Sequence, residues 1–150
     1  MSWYEKARAD IADIVRETGA ETDIHTACAV TAAMSPNQSW KGNLTALRRW
    51  CETGKARGLR TSLRNVERAE RGEPLSGPKV DNFRKALQGD TSAVVVDRWM
   101  LRALGIERAP RTERRYEEIA DILRRREAKA GKTPREYQAD LWVKVRGRSE

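Results

Sequence analysis

The chain has 150 residues, 39% of them hydrophobic and 35% charged, and its 30 Lys+Arg against 22 Asp+Glu leave a net charge of +8. That length suits a single domain, 1–150, able to bury a core of its own. No long apolar run and no signal peptide occur, which argues against a membrane partner and for a cytoplasmic protein with reduced thiols.

The basic balance favours a polyanion, nucleic acid first, through phosphate neutralisation and counterion release. Cys28 and Cys51 have no CxxC spacing, and His25 with Cys28 supplies only two ligands, so neither a metal nor a cofactor is expected.

Apolar periodicity and punctuation predict an all-α fold of about eight short helices. Ser2 caps a first helix with Trp3, Ala7, Ile11, Ile14 and Val15 on its inner face, ended by Gly19. The second, over 22–34, is apolar nearly all round and is therefore expected at the centre. Ser35-Pro36-Asn37 breaks it. Ser39 caps a third helix bearing Trp40, Leu44, Leu47, Trp50 and Cys51, stopped near Gly54.

The fourth, roughly 59–71, shows Leu59, Leu63, Val66 and Ala69 as its apolar face and ends at Gly72. The fifth opens on Pro78, a favoured first-turn residue, and carries Val80, Phe83 and Leu87. Residues 91–96 have strand propensity but no partner run, and read as a buried extended lead-in to a sixth helix capped by Asp97. Thr112 starts a seventh helix with Tyr116, Ile119, Ala120 and Leu123 inside. The capping box Thr133-Pro134-Arg135-Glu136 opens a last helix with Tyr137, Leu141, Trp142 and Val145, before a frayed tail.

Two places suggest chemistry. The turn Leu75-Ser76-Gly77-Pro78-Lys79 lies between helices, where glycine permits close approach and the first N–H groups of the following helix face an anion. Lys79, a cation at a helix start, opposes the helix dipole. It suits a phosphate contact, an imine-forming amine or a plain solvated lysine. Asp97 closes the apolar run Ala93 to Val96. Such a carboxylate is either a helix cap or a stabiliser of an oxocarbenium-like transition state. Arg60, Arg64, Arg68 and Arg71 keep helical spacing beside the turn and make a candidate phosphate stripe, whereas Arg114-Arg115 and Arg124-Arg125-Arg126 read as solvated faces. Trp40 and Trp99 could stack on a base, against a default of core packing.

Leu75-x-Gly77-x-Lys79 followed by Val94-Val95-Val96-Asp97-Arg98-Trp99 resembles the helix–hairpin–helix superfamily of DNA glycosylases, the endonuclease III-like proteins, over about 22–142. The Lys79-to-Asp97 interval matches the lysine-to-aspartate interval of its bifunctional members. The stretch Ala32 to Gln38, with Asn43, is similar to the segment whose polar loop meets DNA. The chain is also similar to small proteins of actinobacterial phages in its Ser-Pro, Leu-Ser-Gly-Pro-Lys and Val-Asp-Arg-Trp stretches.

The resemblance implies a glycosylase-like helical fold and action on the N-glycosidic bond of a base, modified bases included. Asp97 and Lys79 would be the catalytic pair, and Asn37, Gln38, Ser76, Gly77 and Lys79 the DNA contacts. The turn here is two residues shorter than the glycosylase form, Pro78 removes one donor, and the iron–sulfur cysteines are absent, so no cluster is expected. A monomer is expected, in the host cytoplasm for a phage-encoded chain. Two alternatives stay open: a helix–hairpin–helix module that binds DNA without catalysis, and a protein-binding role.

Overall fold

A computed structural model describes residues 3–96 and 98–131, without the side chains of Arg98 and Trp99. Asp97, the Trp99 side chain, the Ser2 cap and the expected last helix lie outside the described residues. Within them the chain is all-helical, with seven helices and no strand: α1 Trp3–Thr18, α2 Ile24–Met34, α3 Trp40–Thr53, α4 Arg60–Glu70, α5 Pro78–Leu87, α6 Arg98–Ala103 and α7 Glu113–Ala130.

The second helix is the centre, as its all-round apolarity predicts. Every residue from Ala27 to Met34 is buried, and α1, α3, α4 and α5 all pack on it. Its alanines at 27, 29, 32 and 33 let four neighbours close in, while Val30 and Met34 supply the larger buried surface, roughly 1.5–3 kcal/mol for each such side chain. The helix begins at Ile24, two residues later than expected, and Asp23 caps it by accepting from the Thr26 N–H. Ser39 caps α3, and Gly54 ends it in the left-handed conformation.

The fourth helix departs from expectation. Leu59 and Leu63 are 65% and 39% exposed, and the buried face is Ser62, Asn65, Val66 and Ala69. At 100° per residue this inner face is turned by about 90° from the two leucines. The reason is Asn65: its carboxamide is needed inside to hold the loop that follows, and small Ser62 and Ala69 fit close against the alanine-rich α2.

The far end of α5 is tied down by the other helices. Arg8 Nη1 on α1 donates to the Gln88 carbonyl at 2.6 Å, and the Cys28 thiol on α2 donates to the Leu87 carbonyl at 3.5 Å. Gln88 Nε2 donates back to the His25 carbonyl. Burial pushes the Cys28 thiol up to about 11, so it is an inert core cysteine.

A second apolar cluster gathers Val94, Val96, Met100, Leu101, Tyr116, Ile119, Ala120 and Leu123. Ala93 belongs to the first cluster and Val94 to the second, so the chain passes from one core to the other within a peptide unit. Residues 93–96 are buried and form no strand, as expected, whereas Thr91 and Ser92, expected in the same buried lead-in, are exposed and lie in a turn. The Tyr116 hydroxyl takes the place of a strand partner: it accepts from the Val96 N–H at 2.9 Å and donates to the Val94 carbonyl at 2.8 Å. Thr112 caps α7 by accepting from Arg115 N–H. Among the described residues no helix is long and apolar enough to cross a membrane.

Candidate functional site

The loop 71–77 joins α4 to α5, and side chains from both helices fix its path. Gly72 N–H bonds to the Ala69 carbonyl and Glu73 N–H to the Arg68 carbonyl, which closes α4 with its carbonyls satisfied. Leu75 is the anchor, only 5% exposed.

Two polar side chains hold the loop backbone. Asn65 Oδ1 accepts from Ser76 N–H at 2.7 Å while its Nδ2 donates to Ser76 O at 3.0 Å, as a neighbouring strand would. Asp81 Oδ1 accepts from Leu75 N–H at 2.8 Å and from Arg84 Nε at 2.7 Å. Burial acts to raise the Asp81 carboxyl, but the Arg84 and Leu75 hydrogen bonds outweigh it and hold the group below its ordinary value.

These bonds decide which backbone donors remain. The N–H groups of Leu75 and Ser76 are used, and Pro78 has none. Those of Gly77, Lys79 and Val80 have no partner among the described residues. Gly77 has φ +101°, a conformation that favours glycine, and a Cβ built there would meet nothing within 4 Å. The backbone is therefore open to an outside surface at that point. Ser76, Gly77 and Lys79 are all exposed, and Lys79 forms no ion pair among the described residues.

Arg60, Arg64 and Arg68 lie exposed on the outer side of α4, and none pairs with an acid among the described residues. Arg71 differs: its guanidinium holds Glu73 through two 3.1 Å hydrogen bonds. From Arg60 to Arg71 the row spans about 16 Å at 1.5 Å per residue. Three of the arginines of α7 are arranged otherwise, while Arg125 and Arg126 are exposed without an ion pair among the described residues. Arg114 and Arg115 pair with Glu118, and Arg124 pairs with Glu117 and Asp121.

The other sequence-derived candidates stand apart from this loop. Trp40 packs edge-on to Trp3 at 5.1 Å, and its indole N–H donates to Asp10 at 3.1 Å, so it serves the edge of the core. Trp3 also stacks near Phe83 of α5, which joins the start of α3 to the loop's second helix. Asn37 is exposed with φ +62°, and no hydrogen bond ties it or Gln38 to the 71–77 loop. Gln38 Oε1 lies 2.6 Å from where a Cβ on Gly42 would stand, so that amide folds over the first turn of α3. Asn43 is buried, 4% exposed, with no partner for its Oδ1.

Sequence reasoning missed Asn65 and Asp81 as the residues that shape the loop. The available signal was an asparagine on the inward stripe of an amphipathic helix, three residues from Ser62 and four from Ala69. Among the described residues no group of His, Cys, Asp and Glu is placed to hold a metal.

The chain belongs to the family of unknown function DUF7178, which matches residues 1–149. No curated protein and no solved structure matches it.

Proposed function

We propose that this protein is a DNA-binding protein that grips phosphate through a helix–hairpin–helix element made of α4, the 71–77 loop and α5. The observation that carries this reading is the set of N–H groups at Gly77, Lys79 and Val80 without a partner among the described residues, in an open glycine turn beside Arg60, Arg64 and Arg68, which form no ion pair there either. Backbone donors at a helix start bind an oxyanion by hydrogen bond and dipole, and the cations release counterions when they meet the backbone. Lys79, exposed at the same turn, is suited to a phosphate contact rather than to amine chemistry, which calls for a buried lysine.

The finer form of the proposal is a glycosylase-like monomer acting on the N-glycosidic bond of a base, with Asp97 stabilising the oxocarbenium-like state. Its support is the resemblance around Val94 to Trp99. The Tyr116 clamp adds to it, because it holds the Val94 carbonyl and the Val96 N–H in the segment just before Asp97. A catalytic carboxylate needs that fixed approach. The same fold without the chemistry would be a DNA-binding module.

Binding of a short duplex measured against salt tests the first claim. Four cations on phosphates, Lys79 with Arg60, Arg64 and Arg68, give a log–log slope of about −3.6. A slope near zero would sink the reading. Base release from damaged or phage-type modified DNA tests the second. Asp97→Asn should abolish release and leave affinity unchanged, since it removes the charge and keeps the size.

A further inference from the structure

We infer that Leu59 and Leu63 form an apolar wedge that directs this protein to DNA whose base stacking is interrupted, such as a duplex with a gap. The inference rests on the DNA-binding reading and adds the form of DNA that the surface fits.

Leu59 and Leu63 are the large hydrophobic side chains left exposed among the described residues, and they stand one helical turn apart. Cations surround them on the N-terminal side, and the exposed Glu67, one helical turn beyond Leu63, is the first acid that follows. From residue 53 to residue 66 the chain carries Lys55, Arg57, Arg60 and Arg64 and no acid. All four cations are exposed, and none is paired with an acid among the described residues.

The turn that presents Leu59 is tight. Gly58 has φ +138°, and a Cβ there would stand 3.0 Å from Ser62 Cβ, so the loop is pressed against the first turn of α4. Leu59 also occupies the N-cap position, where a hydroxyl or carboxylate side chain would be favoured, and makes no side-chain cap bond. An exposed leucine there serves neither the helix nor the core.

An occupant of this surface must offer negative charge and a small apolar area together. Two leucine side chains fall far short of the roughly 800 Å² per partner that a stable protein interface buries. They also fall short of the broad apolar face with which an amphipathic helix enters a bilayer, since the rest of α4's apolar surface, Val66 and Ala69, is turned inward. A base face framed by phosphates matches both demands. In an intact duplex the base faces are covered by stacking, and an apolar side chain reaches them only after paying a few kcal/mol per step to unstack them. At a gap that cost is already met.

The test compares the affinity of the full chain for an intact duplex and for the same duplex with a one-nucleotide gap. The wild type should bind the gapped form about tenfold more tightly. The Leu59→Ser/Leu63→Ser variant should bind both forms equally, with the intact-duplex affinity and the salt slope unchanged. Leu59→Met/Leu63→Met should keep the preference. Equal wild-type affinity for the two forms, or a preference that survives in the serine variant, overturns the wedge while leaving DNA binding in place. Leucine-dependent binding to phosphatidylserine–phosphatidylcholine vesicles, or leucine-dependent self-association, overturns it in favour of a lipid surface or a second copy. Failure of the wild type to bind either duplex removes the DNA-binding reading itself.

Discussion

The helices α4 and α7 are built on one plan and differ in what they leave free. Each carries arginines outside and sends one polar side chain inward to hold an extended stretch of backbone: Asn65 on Ser76, Tyr116 on Val94 and Val96. On α7 Arg114, Arg115 and Arg124 are engaged by acids three, four or seven residues away, while Arg125 and Arg126 form no ion pair among the described residues. On α4 the arginines at 60, 64 and 68 have no such partner. The stretch held by Tyr116 is buried, whereas that held by Asn65 is exposed and ends at open N–H groups. On the proposed DNA-binding reading, the unpaired arginines beside the open N–H groups of the 71–77 loop, and not arginine content alone, mark where a polyanion would sit.

Neutralising the outer charges should show the largest contrast. Arg64→Gln/Arg68→Gln should weaken duplex binding about a hundredfold and reduce the salt slope by about two. Arg114→Gln/Arg115→Gln should change affinity by less than about twofold, because those charges are already compensated. Equal losses from the two helices, read in the same titration, would erase the distinction.

The two inward side chains should separate stability from binding. Tyr116→Phe strands a buried N–H and a buried carbonyl, each costing about 1–3 kcal/mol, and should lower unfolding free energy in urea by ~2 kcal/mol or more. Asn65→Ala exposes its two partners to water, so it should cost only about 1 kcal/mol of stability while weakening DNA binding about tenfold, through a loosened loop. A reversal of that order would show that the 71–77 loop, and not the lead-in, is the structural element.

The smallest expected effect is on acidity. The Asp81 carboxyl is held below its ordinary value in the fold, so its contribution is present above the unfolded value near 4 and is lost as pH falls through the lower folded value. Wild type should therefore lose stability relative to Asp81→Asn as the pH drops from about 5 toward 3. Parallel pH profiles would remove Asp81 from the support of the loop.

The pattern of apolar residues carried most of the fold. An all-round apolar run named α2 as the centre, and Ser39, Thr112 and Pro78 marked helix starts that the structure keeps. Periodicity failed on α4 because it counts leucines. It gives no weight to an asparagine whose buried position is set by a backbone eleven residues further on. It also read Tyr116 as core, which its ring is, and missed the hydroxyl. Trp40 was a candidate for stacking from sequence. Its indole faces Trp3 and Asp10 instead, a tertiary arrangement that local spacing does not encode.

The anchoring of α5 at its far end carries a kinetic consequence. Arg8 and Cys28 fix its last carbonyls, and Gln88 fastens it to the start of α2. Asp81 and Asn65 fix the approach to its first turn. On the proposed reading, an anion arriving at Gly77 would meet donors already in position, with little chain entropy left to lose on contact. Capture at such a site would then need no prior rearrangement. Its rate should track the encounter frequency, rising with the cationic field of α4 and falling as salt screens it.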